Sequence, residues 1–272
     1  MSAVSLYPRV AMLGVGRMGQ AVLAGMLDAG WDPARIVAAE AHEPTARAVR
    51  DRHGIEFRPA AQAVVGADLV VVAVKPHDVT ALLDDIAPNL QDGATVVSIA
   101  AGLSTDRLAG HLPAGTPLVR VMPNTPALVG MGMSVMSPAP GCPPESLALA
   151  ERVLGSVGEV RTTPEGQQDA VTAVSGSGPA YVFYVAEAMI DAGVMLGLPR
   201  PLAHDLTVQT LLGAATMMRD SGEHPTVLRE NVTSPGGTTA AALHVLDDAA
   251  VKAAFANAMR ACRDRSAELG RS

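Results

Sequence analysis

The sequence predicts an α/β chain in which a doubly wound, largely parallel sheet is followed by an all-helical C-terminal domain. Three observations carry this. The runs Val10–Leu13, Asp68–Val74, Thr95–Ala100 and Leu118–Met122 are dominated by Val, Ala, Leu, Ile and Met, the pattern of strands buried on both faces. The first of them runs directly into a glycine-rich turn and a helical segment, the opening of a βαβ unit. After the polar connection Thr162–Gln168 strand patterns vanish and the rest of the chain reads as helices. The boundary is placed there, giving domains of residues 1–163 and 164–272.

Composition sets the bounds. A chain of 272 residues holds one large or two medium domains, and 49% hydrophobic against 17% charged residues leaves room for a sizeable core. Aromatic residues are only 3%, so Ala, Val, Leu and Met must build that core. The net charge is −7 and no basic block is present, so nucleic acid is not an expected partner. Cys142 and Cys262 suggest neither a metal site nor a disulfide framework, and a reducing, cytoplasmic compartment is the simplest reading. Residues 1–8 lack a basic stretch followed by a long apolar run, so no targeting segment is expected. Ala180–Leu198 is apolar enough to mimic a membrane span, but Glu187 and Asp191 lie four apart within it. Acids at mid-span are costly in lipid, so a buried helix, at a subunit interface, is expected instead.

In chain order, Val10–Leu13 is the first strand and a helix runs to about Ala29. Between them lies Gly14-Val15-Gly16-Arg17-Met18-Gly19. Strand, G-x-G-x-x-G, helix is the order that rests a dinucleotide pyrophosphate on a helix N-terminus. The first domain is therefore expected to be Rossmann-type. The second strand, Ile36–Ala39, ends at Glu40, 21 residues beyond Gly19. An acid there can accept hydrogen bonds from the adenosine ribose, which favours NADH over NADPH. Arg17, His42, Arg47 and Arg50 lie close enough in sequence to offer a phosphate positive charge. Ligands of open α/β sheets bind beyond the carboxyl ends of the strands. Val74, Lys75 and Pro76, then Ala101 and Gly102, then Asn124, follow three such ends. Ordinary turn chemistry explains the Gly and Pro, and says less about Lys75 and Asn124. A short strand Ser134–Met136, a helix Glu145–Leu154 and a strand near Val157–Arg161 close the domain.

The second domain reads as helices at Gln168–Val174, Pro179–Leu196, Pro199–Arg219, Pro225–Val232, Thr239–Leu246 and Ala249–Leu269. Pro179, Pro199 and Pro225 are placed at or near first helical positions, and Gly197 and Gly270 at C-caps. So apolar a set of helices is expected to bury a face against a second copy in an interdigitated dimer, the alternative being that it packs on its own first domain. Within it, Ser234-Pro235-Gly236-Gly237 breaks one helix and Thr238-Thr239 opens the next. A Gly-Gly-Thr-Thr turn presents unpaired N–H groups and hydroxyls that suit a carboxylate. Simple N-capping by Thr238 or Thr239 explains the same residues.

A dinucleotide domain joined to a second domain implies hydride transfer. Ser175-Gly176-Ser177-Gly178 lacks the spacing of a nucleophile elbow, and no metal-ligand motif is present, so neither hydrolase nor metal chemistry is implied. His77 and His244 are weak candidates for the site. The only lysines are Lys75 and Lys252. Dehydrogenases of the 3-hydroxyacid class, which resemble this architecture, carry a catalytic Lys on the long helix that opens the second domain, and Pro179–Leu196 has none. A ketone needs a proton shuttle, whereas a cyclic imine can arrive already protonated. A dinucleotide-sensing protein without catalysis would be expected to lack the threonine hydroxyls.

Ala73-Val-Lys-Pro76, Ser98-Ile-Ala-Ala-Gly102, Arg120-Val-Met-Pro-Asn-Thr-Pro126, Ala173-Val-Ser-Gly-Ser-Gly-Pro-Ala-Tyr181 and above all Ser234-Pro-Gly-Gly-Thr-Thr239 resemble the pyrroline-5-carboxylate reductase family over nearly the whole chain. The resemblance implies an NADPH- or NADH-dependent reduction of 1-pyrroline-5-carboxylate to L-proline. It implies a cofactor along Gly14, Val15, Gly16, Arg17, Met18 and Gly19, with Glu40, against Ala73, Val74, Lys75 and Pro76 and against Ala100, Ala101 and Gly102. Asn124 is grouped with these, and Asn231 matches a position near cofactor or substrate. Thr239 matches the residue whose hydroxyl approaches the ring nitrogen. Gly236, Gly237 and Thr238 match the N–H groups that hold the carboxylate, and Ser175, Gly176 and Ser177 the loop beneath the substrate. Glu165 is also matched to the site. Family members swap helices so that one site draws on two chains, and five dimers often form a decamer. Glu40 departs from relatives that use NADPH, which usually carry Ser, Asn or Arg near that position.

Overall fold

In the computed structural model, which describes residues 8–271, eight strands form one sheet in the order β3-β2-β1-β4-β5-β6-β7-β8. Residues 1–7, read as carrying no targeting segment, lie outside the described residues. The elements run β1 (Val10–Leu13), α1 (Arg17–Asp28), β2 (Ile36–Ala39), α2 (Glu43–His53), β3 (Glu56–Phe57), α3 (Ala60–Ala63), β4 (Leu69–Val72), α4 (Pro76–Ile86), β5 (Thr95–Ser98), α5 (Thr105–Ala109) and β6 (Leu118–Met122). Then come β7 (Gly132–Pro138), α6 (Pro144–Leu154), β8 (Gly158–Thr162) and α7 (Gln168–Val171). The chain finishes with α8 (Gly178–Met195), α9 (Arg200–Ser221), α10 (Pro225–Asn231), α11 (Thr238–Asp248) and α12 (Val251–Arg271). All pairings are parallel except β6 with β7.

Alternation along the strands builds two cores. Val10, Met12, Ile36, Ala38, Leu69 and Val71 face one side, where α1 supplies Val22, Leu23 and Met26 and α6 supplies Val153 and Leu154. Ala11, Leu13, Val37, Ala39, Val70 and Val72 face the other, where α4 supplies Val79, Leu83 and Ile86. Strands covered on both faces have no need of polar residues, which is why these runs are continuous. The strand order turns back between β1 and β4, the switch point at which such sheets open a ligand crevice.

Several boundaries shift. The strands at Leu69 and Thr95 stop two residues early, at Val72 and Ser98, where the chain begins to turn. The Ser134–Met136 strand extends to Gly132–Pro138 because it pairs with both β6 and β8. The two-residue edge strand Glu56–Phe57 has no apolar run to announce it. Pro199 precedes α9 rather than opening it, and Gly270 lies within α12 rather than capping it. Gly197, at φ +98, does sit just past α8.

The chain forms two compact units, one of the residues up to Ser177 with those from Cys262 on, the other Gly178–Ala261. Segment 164–177 and the last turns of α12 thus belong with the sheet. The second unit is helical, and α8 packs on α9 where Gly193 leaves room for Ala203. Burial there reaches only Ala203 and Thr207, while Phe183 is 67% and Tyr184 74% exposed. Among the described residues no helix is long and apolar enough to cross a membrane.

Candidate active site

In the first unit the carboxyl ends of β1 and β4 flank the switch point, with that of β5 next in the sheet. The three glycines of the loop have three separate reasons. Gly14 takes φ +93, and a Cβ there would lie 2.9 Å from the Ala73 carbonyl. Gly19 packs so closely that a Cβ would overlap the Gly14 carbonyl, which seats α1 on β1. Gly16, by contrast, faces open space, and a Cβ added there would meet nothing within 4 Å. This is the cradle that a pyrophosphate requires: a fixed turn, a tight helix seat, and one place where a phosphate can approach the backbone. Gly16 is also the N-cap of the 12-residue α1, whose first N–H groups lack intrahelical acceptors.

The loop is pinned from several sides. The Gly14 N–H donates to the Ala39 carbonyl at 2.8 Å, and the Gln20 amide donates to the Val15 carbonyl at 2.8 Å. Glu40 stands just past β2, and its carboxylate accepts the N–H of Val15 at 2.9 Å and of His42 at 3.0 Å. Arg17 is exposed and Met18 half-buried at the mouth of the loop. Of the nearby cations, His42 bonds Thr45, and Arg50 lies beside Glu43 and over the Phe57 ring. Ala73 and Val74 lie beneath Gly14, and the exposed Lys75 precedes Pro76 at the start of α4. Ala100 is buried, and Gly102 turns the chain at φ +79.

Two residues grouped with the site have partners of their own within this unit. The Asn124 amide donates to the Ser175 carbonyl at 3.0 Å and accepts from the Met133 N–H at 2.8 Å. Glu165 receives the Thr105 hydroxyl, the Thr105 N–H at 2.7 Å and Arg120 at 3.0 Å. Burial alone raises the Glu165 pKa, but these hydrogen bonds and the Arg120 charge outweigh it and hold the carboxyl below its ordinary value of 4.5. Both of its oxygens thus have partners within the protein. Sequence patterns do not mark Thr105 or Arg120 as its partners. The one available signal is an arginine inside the run Leu118–Met122, which asks for an acid nearby.

In the second unit, Ser234–Gly237 is a four-residue turn with Pro235 second and Gly236, at φ +68, third, closed by the Gly237 N–H on the Ser234 carbonyl at 3.0 Å. That is type II chemistry, which requires the glycine. The cap of α11 is Gly237, with Thr238 and Thr239 as its first two residues. The capping explanation of the threonines therefore falls. The Gly237 N–H is consumed by the turn, so of the expected carboxylate donors it is the one already bonded. The opening N–H groups of the 11-residue α11 have no intrahelical acceptors. Thr238 is exposed and Thr239 half-buried. Asn231 ends α10 and lines a cavity of about 500 Å³ with Met217, Asp220, Glu223 and Leu228.

Two family models match the chain, one toward each end. Residues 165–269 match the family model "Pyrroline-5-carboxylate reductase dimerisation", and residues 9–102 match "NADP oxidoreductase coenzyme F420-dependent". The chain is 43% identical to the pyrroline-5-carboxylate reductase of Corynebacterium melassecola over 96% of this chain and 98% of that one. It superposes on the pyrroline-5-carboxylate reductase structure from Coxiella burnetii with TM-score 0.92 and 33% identity, covering 96% and 98% of the two chains. The Plasmodium falciparum pyrroline carboxylate reductase with NADP bound gives TM-score 0.86 and 29% identity over 97% and 98%. The chain belongs to the pyrroline-5-carboxylate reductase family, NAD(P)H-dependent oxidoreductases that reduce a cyclic imine to proline and associate through their helical domain.

Proposed function

We propose that the turn Ser234–Gly237 and the start of α11 bind the imine substrate, with Thr239 as the catalytic residue. The observation that carries this reading is the opening of α11: N–H groups without acceptors, a half-buried threonine second, and a turn that only glycine permits at Gly236. The substrate carboxylate is held by the N–H groups of Gly236, Thr238 and Thr239, where the helix dipole also favours negative charge. The Thr239 hydroxyl accepts a hydrogen bond from the protonated ring nitrogen and fixes the plane of the C=N bond. The iminium arrives carrying its proton, so reduction of the carbon needs no side-chain acid, and the resulting amine takes its second proton from water. His77 and His244, at 78% and 76% side-chain exposure and beside Asp78 and Asp248, fit a surface role.

Gly14–Gly19, Ala73–Pro76 and Ala100–Gly102 hold the nicotinamide cofactor, which supplies the hydride when bound. Glu40 favours NADH, since a carboxylate at this loop opposes a 2′-phosphate. Residues 164–272 supply substrate binding and dimerisation, in line with a dimerisation match that starts at residue 165, with the stretches up to Ser177 and from Cys262 on packed in the sheet unit. The dimer shares its sites between two chains and assembles into a decamer in a cytoplasmic compartment, where the free thiols of Cys142 and Cys262 are at home.

The decisive experiment is Thr239→Ala beside Thr239→Ser. Alanine is expected to lower kcat roughly 10- to 100-fold, serine much less, with cofactor affinity unchanged in both. An unchanged rate in Thr239→Ala removes Thr239 from the mechanism.

A further inference from the structure

The loop Ser175-Gly176-Ser177 is held in an uncommon backbone form. Thr172–Gly176 makes one π turn, closed by the Ser177 N–H on the Thr172 carbonyl five residues back, at 2.8 Å. Such a turn carries one residue more than an α turn and persists only where its surroundings hold it. Here the surroundings can be named. The Ser175 hydroxyl bonds the Val171 carbonyl at 3.1 Å and the Thr172 hydroxyl bonds the Gln168 carbonyl at 2.9 Å, which are local ties. Gly176 sits over Met122, whose terminal methyl would lie 2.4 Å from a Cβ. Two further ties come from distant parts of the chain. Asn124, just past β6, bonds the Ser175 carbonyl. Cys262, on α12, donates its thiol to the Ser177 hydroxyl at 3.2 Å. One turn later Ser266 bonds Asp169 at 2.7 Å, so the same face of α12 also holds the helix that leads into the loop.

We propose that Asn124 and Cys262 are positioning residues for the substrate loop, and that Asn124 acts on the imine side of the site rather than as a cofactor ligand. The proposal rests on the reading of Ser175–Ser177 as the loop beneath the substrate. The Asn124 amide has only one orientation that satisfies both neighbours, because one is a carbonyl and the other an N–H. Turned around, it would set N–H against N–H and oxygen against oxygen. It therefore ties Ser175 to the backbone of β7 at Met133. The Cys262 thiol plays the matching part on the other side of the loop, as a weaker donor. A loop gripped at Ser175 and at Ser177 presents the atoms between them in one geometry, which is what orientation of a small ring requires.

The test is steady-state kinetics with pyrroline-5-carboxylate and the reduced nicotinamide varied independently, beside a fluorescence titration of nicotinamide binding. Asn124→Asp keeps the acceptor for Met133 but sets a carboxylate oxygen against the Ser175 carbonyl. It is expected to raise the KM for the imine roughly tenfold, with nicotinamide affinity unchanged. Cys262→Ala is expected to raise the same KM about threefold, from loss of a weak hydrogen bond, and Cys262→Ser to restore it. A loss of nicotinamide affinity in folded Asn124→Asp that matches the rise in imine KM overturns the assignment. So does an imine KM that Cys262→Ala leaves unchanged, and this mild variant decides the matter should Asn124→Asp fail to fold. Ser177→Ala run in parallel separates the two levels. If it too leaves the imine KM unchanged, the substrate-loop reading fails; if it alone raises that KM, the positioning role fails.

Discussion

The two units of this chain solve the same problem in opposite ways. In the sheet unit, Val10, Met12, Leu69 and Val71 are wholly buried by helices of their own chain. In the helical unit, Phe183, Tyr184, Leu206, Leu212 and Met217 are half or more exposed, although α8 is apolar almost all the way round. A helix of that kind is stable only when covered. The difference teaches that the sheet unit carries its stability in intramolecular packing, while the helical unit defers its own to association, in keeping with its match to a dimerisation family. The glycine loop thus stands on a unit packed within its own chain, while the apolar helices of the other unit wait for a covering surface.

The hardest blow to that contrast is a charge in the exposed apolar field. Leu212→Asp, or Leu206→Asp beside it, buries an unpaired carboxylate wherever a partner covers α9, at a cost of several kcal/mol. A dissociation constant raised roughly a thousandfold or more is expected. Sedimentation should show monomer at micromolar concentration, with loss of activity. An intact dimer with full activity would show that α9 faces solvent and that the cover lies elsewhere.

The complementary change is Leu69→Ala, in the centre of the sheet between two helical layers. The cost of such a cavity is about 2–5 kcal/mol. Denaturant unfolding should show it, while sedimentation of the folded protein stays as it was. A change in association from this buried site would break the division of labour between the units.

A smaller effect tests how the sheet unit holds its last segment. Glu165 ties residues that follow β8 to Arg120 of β6 and to the start of α5. Its pKa lies lower in the folded protein than its ordinary 4.5, so the unfolded chain binds the proton more readily. The tie therefore contributes fully above pH 4.5, and its contribution is lost as pH falls through the folded value. Glu165→Gln should cost about 1–3 kcal/mol at neutral pH. It should also flatten the decline of stability below pH 4.5. A wild-type profile that is level from pH 6 to pH 3 would remove this group from the acid response.

The units also differ in what their sequence discloses. Strand and glycine-loop positions were legible because burial on both faces leaves an unbroken apolar run, and because Gly14, Gly16 and Gly19 each meet a different steric demand. The Ser234–Thr239 turn was legible for a similar reason, since Pro235 and Gly236 spell one turn type. What escaped were contacts between residues far apart in sequence. Thr105 and Arg120 reach Glu165 across 60 and 45 positions, and Cys262 reaches Ser177 across 85. Nothing local marks such pairs, and family resemblance placed Glu165 at the substrate without showing that its oxygens are already engaged. The π turn at Thr172–Gly176 was hidden too, inside what reads as plain helix, because an added residue in a helical turn leaves composition untouched.

The mildest change concerns Glu40, whose carboxylate the sheet unit sets against its glycine loop. Glu40 holds the Val15 and His42 N–H groups, so it shapes the loop and sets its charge at once. These two effects separate on substitution. Glu40→Ser removes the negative charge that opposes a 2′-phosphate, and should move the ratio of kcat/KM for NADPH over NADH upward by roughly tenfold, near 1.4 kcal/mol. Glu40→Gln keeps an acceptor for the Val15 N–H, and so keeps the loop while losing the charge. If both variants shift the ratio alike, charge is the discriminator. If only serine does, loop shape is, and the preference arises from where the glycine loop sits. If neither moves it, Glu40 is a structural tether, and the choice of cofactor lies with the exposed Arg17 and its neighbours.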